Sequence, residues 1–403
     1  MYKKSKGGIS LIVLVITIIV MIILAAAIIL SLSNSGIISK ANKAKTDSDT
    51  ANLKEYVNTL RAEWELMTDA ERAVKANSFE EYANQKLAEN GYKGAVGADG
   101  EVYSNLNENA MAAIRAGIKV GDVVTGYTVA TSTYETSGEE NTAPSGEEIG
   151  STAQTVTANT QLTWKYLGVN AKGELEMMAD YEVYNDATKV YDKVTAANNT
   201  KIKLSGKGGY LKGPDTLNEV CKKLYSISEV GTARSMNIDD INSILGYIGE
   251  KGVYWNVEGN EVKASMPLTI GQIEKETGKL LDKRITPDEK DLKMYYSDYY
   301  YINKIKDEKE IKKPQNIDLV YNDKNTYWLA SSCAYAGFGG GYAFFDMRCV
   351  YSTNVYAYYM FTSNNKSYCT AYAIRPVVSI KSNIQLKPNV DKTEWAINKV
   401  QNQ

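Results

Sequence analysis

Residues 326–380 read TYWLASSCAYAGFGGGYAFFDMRCVYSTNVYAYYMFTSNNKSYCTAYAIRPVVSI. The two ends, YWLAS at 327–331 and IRPVVSI at 374–380, predict fixed strands because apolar and aromatic residues dominate them. Between them, residues 331–372 contain no Glu, Gln, Trp, Leu, Ile or Pro and a single Lys. A buried sheet uses Leu and Ile, and buried Tyr needs hydroxyl partners. The segment therefore predicts a binding surface, with a Tyr-rich sheet edge as the structural alternative.

Composition excludes several classes of function. The formal net charge of the 403 residues is −2, so no electrostatic footprint for nucleic acid exists. The absence of His removes the commonest general base and metal ligand. The four cysteines, Cys221, Cys333, Cys349 and Cys369, lack the C-x-x-C spacing of zinc or thioredoxin-like sites. We expect no catalytic residues, no metal and no cofactor.

The N-terminal stretch at 9–30, ISLIVLVITIIVMIILAAAIIL, is apolar except for Ser10 and Thr17. As a helix it spans about 33 Å, the thickness of a bilayer core. Lys3, Lys4 and Lys6 precede it, so the positive-inside rule places the N-terminus in the cytoplasm and the rest of the chain outside. A removed secretory signal, a single-pass anchor and a prepilin-type segment remain alternatives.

Periodic apolar positions from Leu53 to Met67 predict that the N-terminal helix continues as an amphipathic spine, with a stalk whose helical hairpin packs on itself as the alternative. Thr68 and Ser78, each followed three residues later by Glu, predict capped starts of two further helices, the second ending at Asn90-Gly91. Residues 131–160 predict a solvated linker.

The middle of the chain predicts alternating strands and helices. Residues 206–213, GKGGYLKG, predict a Gly-rich loop that lacks the order of a phosphate-binding motif. Strands are predicted within 118–129, at 162–169 and at 174–183, and helices at 214–225 and from 233 onward.

The Gly8-Ile9 junction, a short basic leader before SLIVLVITIIV, resembles the prepilin leader of type IV pilins and type II secretion pseudopilins. The resemblance implies cleavage between Gly8 and Ile9 by a prepilin peptidase and pilin subunits as partners. Val13 and Leu30 stand where that family usually has Glu and Pro.

YWLAS, the F-x-M-R at 345–348 and RPVVS resemble the C-terminal part of the C-type-lectin-like fold, in the version shared with formylglycine-generating-enzyme-like domains. GYLKGPDTLNEVCKKLY and ARSMNIDDIN resemble earlier helices of those domains, so the resemblance covers 118–387. Motifs of calcium-dependent sugar binding are absent, and neither Cys333 nor Cys369 stands in the enzyme's motif.

Within that group the chain resembles the variable proteins of diversity-generating retroelements, in which error-prone copying of adenines turns Asn codons into Tyr, Ser, Gly, Ala and similar residues. The resemblance implies a variable segment at 331–372 on a scaffold that includes Trp328, Arg348 and Arg375. The implied ligand-binding residues are Tyr335, Phe338, Tyr342, Phe344, Asp346, Cys349, Tyr351, Asn354, Tyr356, Tyr358, Tyr359, Tyr368 and Tyr372.

The expected fold class is α+β, with a long N-terminal transmembrane and spine helix followed by a C-type-lectin-like mixed domain with irregular loops. The expected division is a leader at 1–8, the helix at 9–67, a small helical connector at 68–117, the mixed domain at 118–387 and a tail at 388–403. The expected function is non-enzymatic binding of a protein or glycan ligand by a display protein at the bacterial membrane, cell surface or pilus. The alternative is a structural minor pilin or pseudopilin without a ligand.

Overall fold

The computed structural model describes residues 37–137, 153–180, 182–185, 190–193, 200–244, 253–255, 261–263, 316–320, 326–336, 343–351, 354–364 and 366–399, with the single positions 21, 271, 274 and 280. The chain forms two compact units. The first comprises Met1–Val96 and Gly100–Asn105, and the second comprises Gly97–Asp99 and Leu106–Gln403.

The first unit is a small helical assembly closed by a hairpin. Its elements are α1 (Ile37–Leu66), α2 (Asp69–Lys75), α3 (Phe79–Glu89), β1 (Gly94–Val96) and β2 (Val102–Ser104). The stripe predicted from Leu53 onward faces inward, and its buried members pack with Phe79, Tyr82 and Leu87 of α3. This apolar stripe is what holds α1 to α3.

Both predicted helix starts of this unit are confirmed. Thr68 forms a capping box with Glu71, and the Ser78 hydroxyl accepts the backbone N–H of Glu81. Helix α3 ends at Glu89, and Gly91 takes a positive φ of 71°, the conformation that glycine adopts readily after a helix.

The prediction of a long transmembrane and spine helix is wrong for this fold. Among the residues that the structure describes, no helix is both long enough and apolar enough to cross a membrane. Helix α1 carries charged residues along its length, and its apolar stripe packs against α3. Most of 9–30, with the Gly8-Ile9 junction, lies outside the described residues. The fold that remains is a mixed α+β one.

The described residues of the second unit form two large sheets and three small hairpins. Its described helices are α4 (Glu108–Arg115), α5 (Gly206–Tyr225), α6 (Ile238–Ile244) and α7 (Ile317–Val320). Its described strands are β3 (Val123–Thr125), β4 (Thr133–Glu135), β5 (Thr155–Thr157), β6 (Thr163–Val169), β7 (Leu175–Asp180), β8 (Glu182–Asn185), β9 (Val190–Lys193), β10 (Lys201–Ser205), β11 (Gly231–Ser235), β12 (Val253–Trp255), β13 (Glu261–Lys263), β14 (Tyr327–Ala336), β15 (Ala343–Tyr351), β16 (Asn354–Thr362), β17 (Cys369–Ile374), β18 (Pro376–Ile380), β19 (Ile384–Pro388) and β20 (Glu394–Lys399).

The strand order is β10-β17-β14-β15-β16 in a five-stranded sheet and β11-β18-β7-β6-β3-β20-β19 in a seven-stranded sheet. The hairpins are β4-β5, β8-β9 and β12-β13. The predicted strands at both ends of 326–380 are therefore confirmed as β14, β17 and β18. Part of the predicted 131–160 linker instead forms the hairpin β4-β5.

One face of the five-stranded sheet is covered by helix α5, which includes the glycines predicted to form a loop. That prediction is wrong because the glycines let the helix approach the strands closely. A Cβ at Gly209 would lie 2.9 Å from Met360 Sδ, and one at Gly213 would lie 3.0 Å from Met347 Sδ. The ring of Tyr210 packs edge-on against Phe345, with centroids 5.5 Å apart.

The other face of the five-stranded sheet shares a core with the seven-stranded sheet and α6. Its members from β14 to β17 are Tyr327, Leu329, Val350, Val355 and Ala373; those from β7, α6 and β18 include Met178, Ile241 and Val377. The predicted helix from 233 begins later than expected, at Ile238, because Ala233 and its neighbours pair with β18.

Arg375 lies where the chain passes from β17, in one sheet, to β18, in the other. The residue is 2% exposed. Its guanidinium donates to Ala179 O at 2.8 Å, to Leu319 O at 2.6 Å and to the Tyr327 hydroxyl at 3.1 Å. The Asp180 carboxylate lies 3.8 Å away. One buried cation thus joins strands of both sheets with its hydrogen bonds satisfied.

The residues expected to form a C-terminal tail belong to the seven-stranded sheet. Strand β20 pairs with β19 on one side and with β3 on the other. Trp395 is 0% exposed, and its indole N–H donates to Asp122 Oδ2 at 3.0 Å. The boundary expected at 387 is therefore wrong, because an apolar residue outside the recognised motifs completes the core.

We predict that Trp395→Ala lowers the free energy of unfolding by about 3–5 kcal/mol, because it empties a fully enclosed ring site. Urea denaturation monitored by circular dichroism measures the change. Val390→Ala is the matched control, since Val390 is 98% exposed in the adjoining turn. Equal stability of the two variants would contradict the placement of β20 in the core.

Candidate functional site

Strands β15 and β16 position half of the predicted tyrosines. Along β16, Val355 and Ala357 are buried, whereas Tyr356 and Tyr358, which alternate with them, are half-buried. Alternation in a strand places the two pairs on opposite faces. The register sets Tyr356 opposite Cys349 and Tyr358 opposite Met347, so these tyrosines lie on the face that α5 partly covers.

Five rings on this face form a group that we call the Trp328 cluster: Trp328, Tyr351, Tyr356, Tyr358 and Tyr372. Tyr372 lies 4.7 Å from Trp328, 5.6 Å from Tyr358 and 6.3 Å from Tyr351, measured between centroids. Tyr351 lies 6.4 Å from Tyr356. Most of these rings are tilted or perpendicular, the geometry that aromatic quadrupoles favour.

Trp328 is the buried floor of the cluster. It is fully enclosed, and its indole N–H donates to Ile202 O on β10 at 2.8 Å. Above it, Tyr358 and Tyr372 are half-buried, and Tyr351 is 52% exposed. Partial burial of Tyr372 raises the pKa of its hydroxyl above the usual value, so this group stays neutral at physiological pH. The floor is rigid and the rings above it reach the surface.

A second group, the Tyr359 cluster, consists of Phe344, Tyr359 and Tyr368. The rings of Phe344 and Tyr359 are 4.9 Å apart, and those of Tyr359 and Tyr368 are 5.7 Å apart. All three are half-buried. Because Tyr358 and Tyr359 are consecutive in one strand, they point to opposite faces. The predicted site is therefore divided into two surfaces.

Other predicted residues have incomplete descriptions. Tyr335 and Asn354 lie in β14 and β16, but their side chains are outside the described part. Phe338 and Tyr342 lie outside the described residues altogether.

Asp346 and Cys349 are not exposed, which corrects their assignment as ligand contacts. Both are 0% exposed. Asp346 lies on the face of β15 that carries Val350 of the shared core. Cys349 stands in register between Trp328 and Tyr356. Neither side chain reaches a ligand on the surface of this fold.

Asp346 and Arg348 form an unusual buried pair two residues apart on one strand face. Arg348 is also 0% exposed. Within the part of the chain that the structure describes, neither carboxylate oxygen of Asp346 and none of the three guanidinium nitrogens of Arg348 has a hydrogen-bond partner. Burial raises the pKa of Asp346 well above its usual value, and the nearby Arg348 opposes this only in part. Burial of these two side chains without hydrogen bonds lowers the free energy of unfolding.

The sequence reasoning missed strand β10, which supports the Trp328 cluster. Ile202 pairs with Tyr372 and accepts the Trp328 N–H. The signal was present in KIKLS at 201–205, where charged or polar and apolar residues alternate.

The cysteines and acids offer no assembled chemical site within the described part of the chain. Cys221, Cys333 and Cys349 are buried free thiols, and Cys369 is an exposed one. Burial raises the pKa of Cys333 to about 12, which keeps it protonated. Among the described residues, no three His, Cys, Asp or Glu side chains converge as metal ligands would.

No protein-family model, no curated protein and no solved structure matches this chain. The resemblances to prepilin leaders and to the C-type-lectin-like fold therefore rest on the quoted motifs alone, and the resemblance to variable proteins rests on the composition of 331–372.

We predict that Asp346→Asn flattens the pH dependence of stability. Because the folded-state pKa lies above the unfolded value of about 3.9, the folded state holds the proton more tightly. The free energy of unfolding contributed by Asp346 therefore falls as pH rises from about 4 toward the raised pKa. Urea unfolding across this range compares the two proteins. Parallel pH profiles would show that Asp346 titrates normally.

Proposed function

We propose that the protein is a ligand-binding display protein and that the Trp328 cluster is its principal contact surface. The observation that carries the proposal is a set of tyrosine rings that reach the surface above a fully enclosed Trp328. Rigid aromatic rings supply contact area with few rotamers to lose, which is why paratopes are rich in Tyr. No catalytic role is proposed for these residues.

The tyrosines of this protein divide into two kinds, which supports the proposal. Tyr127 and Tyr327 are buried, and their hydroxyls donate to Tyr225 O at 2.6 Å and Val320 O at 2.8 Å. Tyr225 is also buried, and its hydroxyl accepts the Asn159 N–H. These are structural tyrosines with satisfied hydroxyls. Tyr351 and Tyr358, by contrast, keep ring surface in contact with solvent.

The variable-protein resemblance adds a prediction about natural variants. The side chains implied to vary at surface positions, including Tyr351 and Tyr358, are separated by scaffold positions such as Val355 that are fully buried. We predict that genes from different isolates differ mainly at adenine positions of codons 331–372, with buried positions such as Asp346 varying less than exposed ones. Sequencing the gene from several isolates checks this. Substitutions spread evenly along the chain would favour a structural role without a ligand.

We predict that Tyr351→Ala combined with Tyr358→Ala weakens ligand binding at least tenfold, because truncated aromatic contacts at the centre of an interface typically cost more than 1 kcal/mol each. The full chain is screened on a glycan array and a peptide display library, and each hit is retested by surface plasmon resonance. Circular dichroism confirms that the variant is folded.

The matched control is Tyr359→Ala combined with Tyr368→Ala, which removes two rings of the Tyr359 cluster. Binding that depends on the Trp328 cluster survives in the control. Loss of binding only in the control would move the contact surface to the Tyr359 cluster. Equal binding by both variants and the unmodified chain would overturn the proposal.

A further inference from the structure

Two charged-type side chains that the proposed contact surface does not use, those of Asp346 and Arg348, lie inside the fold. Both are fully buried, and alternation along β15 puts them on the face opposite the Trp328 cluster. Among the described residues, nothing hydrogen-bonds to the guanidinium of Arg348 or to the carboxyl of Asp346, and the two do not pair with each other. Buried polar atoms in folded proteins are nearly always paired. Five such atoms in one place therefore call for a common partner.

We propose that Arg348 and Asp346 form a buried site for a small carboxylate anion. This site is separate from the ligand-binding surface proposed above and does not depend on it. Three further features of the structure support it: breaks in the strand pairing beside the two residues, the small size of their neighbours, and a border of half-buried rings.

The strand pairing is interrupted on both sides of the pair. On β14, the bulged residues 329–331 stand opposite Arg348 alone. On β16, the register shifts beside Asp346 and leaves Met360 as an extra residue. The first bulge is fixed in place, because the Ser331 hydroxyl accepts a backbone N–H from the start of α6 at 3.0 Å. Bulges are common beside active sites, where they redirect side chains.

The cross-strand neighbours of the pair are small. Ala357 of β16 is in register with Arg348, and Cys333 of β14 is in register with Asp346. A methyl group opposite a guanidinium side chain supplies neither bulk nor a polar partner at this position. Burial raises the pKa of Cys333 to about 12, so the thiol is neutral and does not balance the charge of Arg348.

The Tyr359 cluster borders the pair and connects it to the surface. Phe344 precedes Asp346 by two residues on the same strand face, and Tyr359 is in register with Asp346. The rings of Phe344 and Tyr359 are half-buried and 4.9 Å apart. Rotation of these two rings gives a small molecule access to the buried pair.

The charges of the pair select the occupant. A guanidinium stays protonated in proteins and offers only donors. Burial raises the pKa of Asp346 well above its usual value, which favours the neutral carboxyl with its O–H donor. The pair then carries one positive charge and an excess of donors. Water leaves that charge unbalanced and a phosphate dianion exceeds it, whereas a carboxylate matches both the charge and the planar fork of the guanidinium.

The test uses the full chain labelled with 15N-arginine, in which sodium acetate replaces sodium chloride at fixed ionic strength. The Nε–H resonance of Arg348 is assigned by its loss in Arg348→Met. We expect this resonance to shift saturably, with affinity for acetate roughly tenfold above that for acetamide, its neutral counterpart. The Nε–H of Arg375 is the internal control, since it already donates to Ala179 O, and its resonance stays unchanged.

Two variants distinguish a carboxylate site from a pair with a structural role alone. Asp346→Asn keeps a neutral donor beside the guanidinium, so we expect acetate to bind without loss of affinity. Arg348→Met removes the charge and the donors, so acetate no longer raises the midpoint of thermal unfolding as it does for the unmodified chain.

Acetate binding that appears only in Asp346→Asn would show that an ionised Asp346 already balances Arg348, and would overturn the proposal. An unchanged Arg348 resonance in the unmodified chain, or equal affinity for acetate and acetamide, would overturn it as well. Ligand binding at the Trp328 cluster is measured separately in the screens, so these results leave the proposed function standing.

Discussion

The second unit depends on the guanidinium of Arg375. The chain leaves one sheet at Ile374 and enters the other at Pro376, so Arg375 lies at the point where the two sheets must be held in a fixed relation. Its hydrogen bonds reach Ala179 in the seven-stranded sheet and Tyr327 in the five-stranded sheet. Because Tyr327 is adjacent to Trp328, this interaction also fixes the floor of the aromatic cluster. A planar side chain with several donors suits this junction, and a lysine with one point charge does not.

Local chemistry made several elements predictable. Capping residues located α2 and α3, and apolar runs located β6, β14 and β18, because each signal lies within a few residues of the element. Packing between distant segments was not predictable. The glycines at 206–213 predict a loop when only the local sequence is considered. In the fold, Met347 and Met360 occupy the space that the missing side chains leave, and both lie more than a hundred residues later in the chain. Trp395 likewise completes a core whose other members lie far along the chain.

The composition of 331–372 predicted a binding surface, but most side chains of β15 are buried, and composition does not say which side chains face outward. Alternation places neighbours such as Tyr358 and Tyr359 on opposite faces once the strand is known. Its register depends on bulges, and the pairing of β14 with β15 shifts between Trp328 and Ser332. Composition carries no information about such a shift. Asp346 and Cys349 are buried, and the composition of the segment did not indicate this.

The buried pair of Asp346 and Arg348 gives this sheet a cost that its apolar neighbours do not have. Replacing such pairs by apolar residues is often neutral or stabilising in other proteins, so their presence is not explained by stability. Both residues lie on the strand that carries Tyr351, and Asp346 is in register with Tyr359. A strand that carries uncompensated polar groups on one face and partly exposed rings on the other is under different packing constraints on its two sides. The face that carries Asp346 tolerates this cost because the hydrogen bonds of Arg375 and the shared core hold the sheet in place.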